Sequence, residues 1–469
     1  MSLLAHLAPF VPWLARYGAG HLRADLVAGL TVAVVAVPQS MAYALIAGLP
    51  VQYGLYASVV PTIVASLWGS SAHLITGPTT AVSLVVLTTL TAIVPAGAPG
   101  YLELAFLLAL AVGLIQLGMG LARLGVFLNF VSHSVILGFS AGAAVLIAFK
   151  QLPNLLGLAP VSGGVLKALA QIAARVGDVH PATVALGLLT MAVILVVKRF
   201  RPLWPGTLLA MLVAGGIVDL FDLDAAGVAV VGAIPGSLPP FHVPEFPPVE
   251  NLGRLVTGGL AIAVLGLVEA ASIAKSIAGQ TRQRIDLNQE FVAQGLANTA
   301  AAFFSGYPGS GSFTRSALNF RSGGRTPMSG VVSGVAVAAT LLAAAPLAAK
   351  LPVAALAGVL MVVAYEMVRF EDIRRSARAT RNDAAVLVVT FLSTIFLDIE
   401  FAVYVGALIS IGLHLAATSH PRIFSTLPDL ISGKMAPAAY GRRCCQMDIV
   451  RVEGSIFFGS AAFVLEDLQ

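Results

Sequence analysis

Apolar runs of about twenty residues, separated by short polar turns, fill most of the chain, and a few are interrupted by glycine and proline. The first run covers about 26–47, and Pro38 is expected to break it in its middle. A second covers 53–68. The third opens with LITGPTTAVSL, where Gly77 and Pro78 interrupt the backbone before a helix begins near Thr79. Further runs lie at about 101–121, 126–149, 181–197 and 205–221. After a polar, proline-rich stretch they resume at 252–276, 290–304, 327–345, 352–368, 384–398 and 400–418. Between 304 and 327 the segment SGYPGSGSFTRSALN, residues 305–319, again breaks the backbone before a helix that starts near Ser312. The total is fourteen segments, seven plus seven, and the broken third segment of each half answers the other. Such a matched pair marks an inverted repeat with the binding site between the breaks.

This pattern divides the chain into a cytoplasmic lead-in (1–25) with Trp13 and Tyr17 at the headgroups, a first repeat (26–221), an external connection (222–251), a second repeat (252–418) and a cytoplasmic tail (419–469). The N-terminus does not read as a cleaved signal, because Pro9, Pro12, Arg16, Arg23 and Asp25 precede the first apolar run. With the N-terminus inside, the basic clusters at 198–202, 275–284, 321–325 and 369–381 all fall inside, as does the tail. The tail ends in MDIVRVEGSIFFGSAAFVLEDLQ, which alternates like one strand and then turns helical. This is expected to be the start of a small α/β domain, too short to bury a core and cut at that point.

Composition agrees with the spans. The 469 residues are 58% hydrophobic and 10% charged, with a mean hydropathy of +0.91, against about 25% charged residues in soluble domains. The fold class is therefore an all-α polytopic membrane protein, with two short strands before the half-helices of segments 3 and 10. The 46 glycines suit close helix packing in a bilayer. The only cysteines, Cys444 and Cys445, are adjacent and fit neither a disulfide framework nor a metal site. The sequence shows no nucleic-acid-binding pattern, nucleotide loop, metal cluster or nucleophile–base pair, so neither an enzyme nor a bound cofactor is expected.

The candidate chemistry lies at the two breaks. A helix that starts after broken backbone offers free N–H groups and a positive dipole end to an anion. Thr79, Thr80, Ala81, Ser312, Phe313 and Thr314 hold those positions, although small residues there can equally serve close packing. Arg315 would add a fixed positive charge in mid-membrane. Its plainer role is an ion-pair partner or a residue at the interface. Gln39 and Tyr43 on the first span can line the same cavity, or Gln39 can satisfy a carbonyl freed by Pro38. Glu269, inside an apolar run, is expected to be paired with Arg315 or Lys275 or to carry a coupling proton. His133 and Asn129 read as helix-contact residues, and Asp398 and Glu400 as turn residues.

Three stretches, VPQSMAYALIAGLPVQYGLYAS (37–58), ITGPTTAVSL (75–84) and GSGSFTRSALN (309–319), resemble the sulfate permease family of anion transporters, which includes animal anion exchangers and prestin. The tail is similar to the start of that family's STAS domain. The resemblance implies a core domain moving against a gate domain, a homodimer in the bilayer, an anion between the two helix starts, and an arginine at the position of Arg315. It leaves open whether the anion is sulfate, bicarbonate or a dicarboxylate. The leading expectation is a secondary active anion transporter of the bacterial inner membrane, with both termini cytoplasmic and Glu269 coupling transport to protons. Sodium-coupled bicarbonate transport, an uncoupled channel or motor, and a nucleobase symporter remain alternatives.

Overall fold

The computed structural model describes residues 8–126, 133–159, 165–201, 204–245, 249–397 and parts of 402–467. A short helix α1 (Phe10–Leu14) precedes α2 (Ala19–Ile46) and α3 (Val51–Trp68). Strand β1 (Thr76–Gly77) leads into α4 (Thr80–Thr91), followed by α5 (Tyr101–Leu121), α6 (His133–Leu156), α7 (Val165–Ala174), α8 (Pro181–Phe200) and α9 (Gly206–Leu220). The second half holds α10 (Val249–Thr281), α11 (Leu287–Phe303), β2 (Ser310–Gly311), α12 (Phe313–Arg321), α13 (Met328–Ala348), α14 (Val353–Met367), α15 (Phe370–Ala379) and α16 (Arg381–Phe396). Helical residues between 402 and 415 belong to the last span. Asn129, Asp398, Glu400, Cys444 and Cys445 lie outside the described residues, as does the side chain of His133.

The helices form two bodies. In the core, α11 packs on α5 and α3, α13 on α2 and α3, and α10 on α5 and α4. In the gate, α6 packs on α16 and α14, and α8 on α14 and α9. The contacts obey the repeat: α5 against α11 is answered by α13 against α3, α5 against α10 by α13 against α2, and α6 against α16 by α14 against α8. Helix α2 belongs to the core and also touches α9 and α14 of the gate, so it is a main seam between the bodies.

Glycine makes the core packing possible. A methyl group on Gly54 of α3 would lie 1.9 Å from the Ser40 carbonyl oxygen of α2. On Gly295 of α11 it would lie 2.4 Å from the Leu117 amide nitrogen of α5. Backbone therefore meets backbone, the arrangement favoured where lipid offers no hydrophobic drive between helices. Buried carboxylates seal the helix ends on one side of the core. Glu290 accepts from the Ser70 and Ser71 amides, both at 2.6 Å, and fully buried Asp25 accepts from Arg325 N, Thr326 N and the Thr326 hydroxyl. Each carboxylate is hydrogen-bonded, as burial of a charge requires.

The expected break at Pro38 does not occur. Helix α2 continues through Pro38, as α3 does through Pro61, because losing one backbone bond is tolerated where neighbouring helices enclose the site. The same helix starts at Ala19, seven residues before the first apolar run. The basic run 369–381 is not a simple loop: most of it folds as α15, whose repeat-mate α7 occupies the matching place in the first half. The tail holds more than one strand. Strands β3 (Arg422–Pro428), β4 (Met435–Pro437) and β5 (Ile449–Glu453) form an antiparallel sheet in the order β4-β3-β5, followed by α17 (Phe458–Asp467).

The connection between the halves crosses both bodies. Its Val231 N–H donates to the Leu351 carbonyl, and the Val353 N–H donates back to Ala229, which ties it to the start of α14. Farther along, the His242 N–H donates to Phe303 of α11, and the Ser305 hydroxyl donates to Pro240. Nearby, Lys350 lies 3.1 Å from Asp224 and holds its carboxyl below the ordinary carboxylate range.

Candidate functional site

The two broken segments meet. β1 pairs antiparallel with β2, with Thr76 opposite Gly311 and Gly77 opposite Ser310. The ladder is only two residues long because a helix starts almost at once on either side. Thr79 caps α4, its hydroxyl accepting from Val82 N at 3.5 Å, and Ser312 caps α12, accepting from Arg315 N at 3.5 Å. Both helices thus begin at the crossing, and the first-turn N–H groups of each have no carbonyl within their own helix. Two dipole ends, each worth roughly +0.5 charge, come together there.

Buried amides hold this crossing in place. Asn298 grips Gly309, its Oδ1 accepting from the Gly309 N–H at 2.8 Å and its Nδ2 donating to the Gly309 carbonyl at 3.1 Å. Gln294, one turn earlier on α11, donates to the Thr76 hydroxyl at 2.7 Å, and the Thr62 hydroxyl donates to the Thr76 carbonyl at 2.6 Å. The Ile75 N–H donates to the Ser316 hydroxyl, and the Ser312 N–H donates to the Ile75 carbonyl. These residues were not singled out from sequence. Their signal was present: Gln294 and Asn298 are two amides one turn apart on an apolar helix.

A cavity of about 1300 Å³ lies against the helix starts, between core and gate. It is lined by Gln39, Tyr43, Thr79, Thr80, Ala81, Ser312, Phe313, Thr314 and Glu269, so nine of the ten expected residues come together. Glu269, on α10, is joined to the site by the Thr79 hydroxyl, which donates to its Oε2 at 3.2 Å. Gln39 Oε1 is buried with no hydrogen-bond partner among the described residues.

Arg315 is the residue set apart. It is fully buried and does not line the cavity. Its Nη2 donates to the carbonyl of Pro78, the residue before the cap of α4, and Nη1 packs where a Gly77 side chain would stand. The guanidinium therefore braces one half-helix start against the other and adds its charge from behind the strands. The close approach needs glycine at two places. A methyl group on Gly77 would lie 2.8 Å from Arg315 Nη1, and one on Gly309 would lie 2.6 Å from the Gly77 carbonyl oxygen. Backbone cannot swing aside as a side chain can, so Gly309→Ala is expected to destabilise by about 1–3 kcal/mol, as overpacking does. Its uptake should fall with its thermal midpoint. An unchanged midpoint would mean that the crossing is looser than this geometry.

Lys198, Lys275, Arg321 and Arg369 also line the cavity. Lys198 is paired with Glu366 at 2.6 Å. Arg369, at the foot of α15, places its guanidinium 4.4 Å from the centroid of the Phe313 ring, and Phe313 is 43% exposed. A gate cation thus leans on the first residue of a core half-helix. Sequence reading used the basic run around Arg369 only for orientation and missed this contact.

The Sulfate permease family profile matches residues 22–390 of the chain. Over 465 residues the chain is 33% identical to the probable sulfate transporter 4.2 of Arabidopsis thaliana, covering 96% of this chain and 68% of that protein. It is 32% identical to the putative sulfate transporter YvdB of Bacillus subtilis, covering 95% and 82%. Among solved structures, the transmembrane domain of the cyanobacterium bicarbonate transporter BicA is similar at a TM-score of 0.75 and 27% identity, covering 84% of this chain and 99% of that one. SLC26A9 shares the fold at a TM-score of 0.88 and 21% identity, over 99% of this chain and 77% of that one. Paired half-helices facing one cavity, in a chain so matched along most of its length, place this protein in the sulfate permease family as a membrane-embedded anion transporter.

Proposed function

We propose that the protein is a proton-coupled symporter of a small oxyanion, sulfate in the first instance, working by alternating access of the core against the gate. The observation that carries this reading is the convergence of the α4 and α12 starts on one cavity, with Glu269 hydrogen-bonded to the cap Thr79. The helix starts and Arg315 supply positive potential where the anion would sit. Thr79, Thr80, Ser312 and Thr314 supply hydroxyls, and Glu269 supplies a site for a proton. Relatives named as sulfate transporters support the choice of anion.

The wall of the cavity formed by Lys198, Lys275, Arg321 and Arg369 is, in this reading, the cytoplasmic one, following the positive-inside rule. The cavity is then open inward, with both termini inside and the connection at 222–251 outside. The chain resides in a bacterial inner membrane as a homodimer, and its tail is the start of a STAS domain. Uptake into proteoliposomes, measured for sulfate, bicarbonate, chloride and dicarboxylates with and without pH and sodium gradients, tests the proposal. Sulfate accumulation driven by inward acid supports it, and accumulation of no anion under any gradient overturns it.

A second reading, sodium-coupled bicarbonate transport, is favoured by the likeness to a bicarbonate transporter. The adjacent Glu269 and Thr79 oxygens are hard ligands of the kind that suit such a cation. The same panel separates the two.

Arg369 gives a further expected result. A cation resting on an aromatic ring at the site's rim is worth roughly 0.5–2 kcal/mol. Arg369→Gln should raise the apparent KM for the anion about three- to tenfold. It should also weaken the dependence of uptake on ionic strength, with the maximal rate nearly unchanged. Kinetics at two salt concentrations read both effects.

A further inference from the structure

We propose that the cleft between α1 and the loop before α13 binds the phosphate of an anionic lipid headgroup. The cleft has a volume of about 270 Å³ and is lined by Pro12, Trp13, Arg16, His21 and Thr326. Three of these side chains are donors. Arg16 carries a permanent charge. The Trp13 indole Nε1 is buried and has no hydrogen-bond partner among the described residues. His21 has its tautomer fixed: the Gly18 N–H donates to Nδ1 at 3.3 Å, so the ring hydrogen sits on Nε2. The His21 ring is also held in place, stacked on Tyr17 with centroids 5.9 Å apart.

The lining offers few competing acceptors. The Thr326 hydroxyl donates to Asp25 Oδ2 at 2.6 Å and accepts from Met328 N, so it is occupied. Asp25, the nearby carboxylate, is fully buried and already accepts three hydrogen bonds. A donor-rich pocket with a fixed cation and a buried unpaired N–H suits a phosphate oxygen.

The surroundings decide between a lipid and a free anion. Leu22 and Leu26 lie one turn apart on α2 and are 50% and 45% exposed, and Val11 and Leu14 of α1 are exposed as well. The polar cleft therefore stands at the head of an apolar stripe, as a phosphate bearing acyl chains requires. Anionic lipid is attracted to basic clusters at the inner surface. The site lies on the lead-in and on the core, apart from the transport cavity.

The test uses the full chain in detergent, with dihexanoyl phosphatidylglycerol, dihexanoyl phosphatidylcholine and inorganic phosphate as probes. Retention is read by native mass spectrometry, and thermal midpoints check folding. Phosphatidylglycerol should be retained at the lowest concentration. Arg16→Gln should weaken its retention at least about tenfold, the effect of losing one charge-assisted hydrogen bond. Trp13→Phe keeps the ring, removes the N–H and should weaken it less. Leu26→Ser should weaken phosphatidylglycerol without changing retention of inorganic phosphate. Unchanged phosphatidylglycerol retention in both Arg16→Gln and Trp13→Phe overturns the proposal. Inorganic phosphate or phosphatidylcholine binding as tightly as phosphatidylglycerol overturns it too.

Discussion

Replacing Arg315 with alanine is expected to lower anion uptake by on the order of 10- to 100-fold, with the protein still folded and inserted. The estimate follows from what the guanidinium does. It is fully buried, it donates to the Pro78 carbonyl, and its charge adds to two helix dipoles at one point. A hydrogen bond from a charged group contributes about 1.5–3 kcal/mol, and alanine also leaves the Pro78 carbonyl buried without that donor. The rest of the crossing survives the substitution, because Asn298, Gln294 and Ser316 hold the strands without Arg315. The fold should therefore tolerate what transport does not. Arg315→Lys separates the two contributions. An ammonium restores the positive field but not the planar fork that reaches Pro78, so recovery should be partial. Wild-type uptake by a correctly inserted Arg315→Ala protein would remove Arg315 from the mechanism.

The contrast between Arg315 and Arg369 shows how far the sequence could be read. Breaks in the backbone were legible because Gly77, Pro78, Gly306, Pro308, Gly309 and Gly311 interrupt apolar runs in two matched places, and both breaks became the paired strands. The helix starts were legible for the same reason, with Thr79 and Ser312 as caps. Pro38 carries the same local signal, yet α2 runs on through it. Tertiary enclosure decides between a break and a continuous helix, and that is a property of neighbours distant in sequence. Helices α7 and α15 are short and flank spans, so an apolar-run reading passes over them. Nor could a one-dimensional reading tell whether Arg315 faces the cavity or lies behind it. That depends on how α12 is turned against β1. The Phe313–Arg369 contact joins residues of the two bodies and becomes visible only when core and gate are placed together.

Glu269→Gln should keep anion exchange and lose its acceleration by external acid. The Thr79 hydroxyl has one hydrogen to give, and in this structure it is directed at Glu269 Oε2. With the carboxylate ionised, that hydrogen is held by Glu269, and the negative charge offsets the positive field at the helix starts. With the carboxyl protonated, the negative charge is gone and the carboxyl can itself donate to Thr79. The Thr79 hydroxyl is then free to turn toward an anion in the cavity. Protonation and anion binding therefore favour each other, and by reciprocity the bound anion holds the proton in place. Both would cross together, and acid on the side of entry would speed uptake. Glutamine fixes the site in its uncharged form: its amide can still meet Thr79, so the anion binds, but no proton is carried. Uptake by the variant should be equal at pH 6 and pH 8, whereas the wild type should be faster in acid. Thr79→Val should instead weaken the anion in both states and leave the pH ratio reduced but present. If Glu269→Gln still concentrates its anion against a gradient when only a pH difference drives it, the coupling group lies elsewhere, and sodium held at the same oxygens becomes the next candidate.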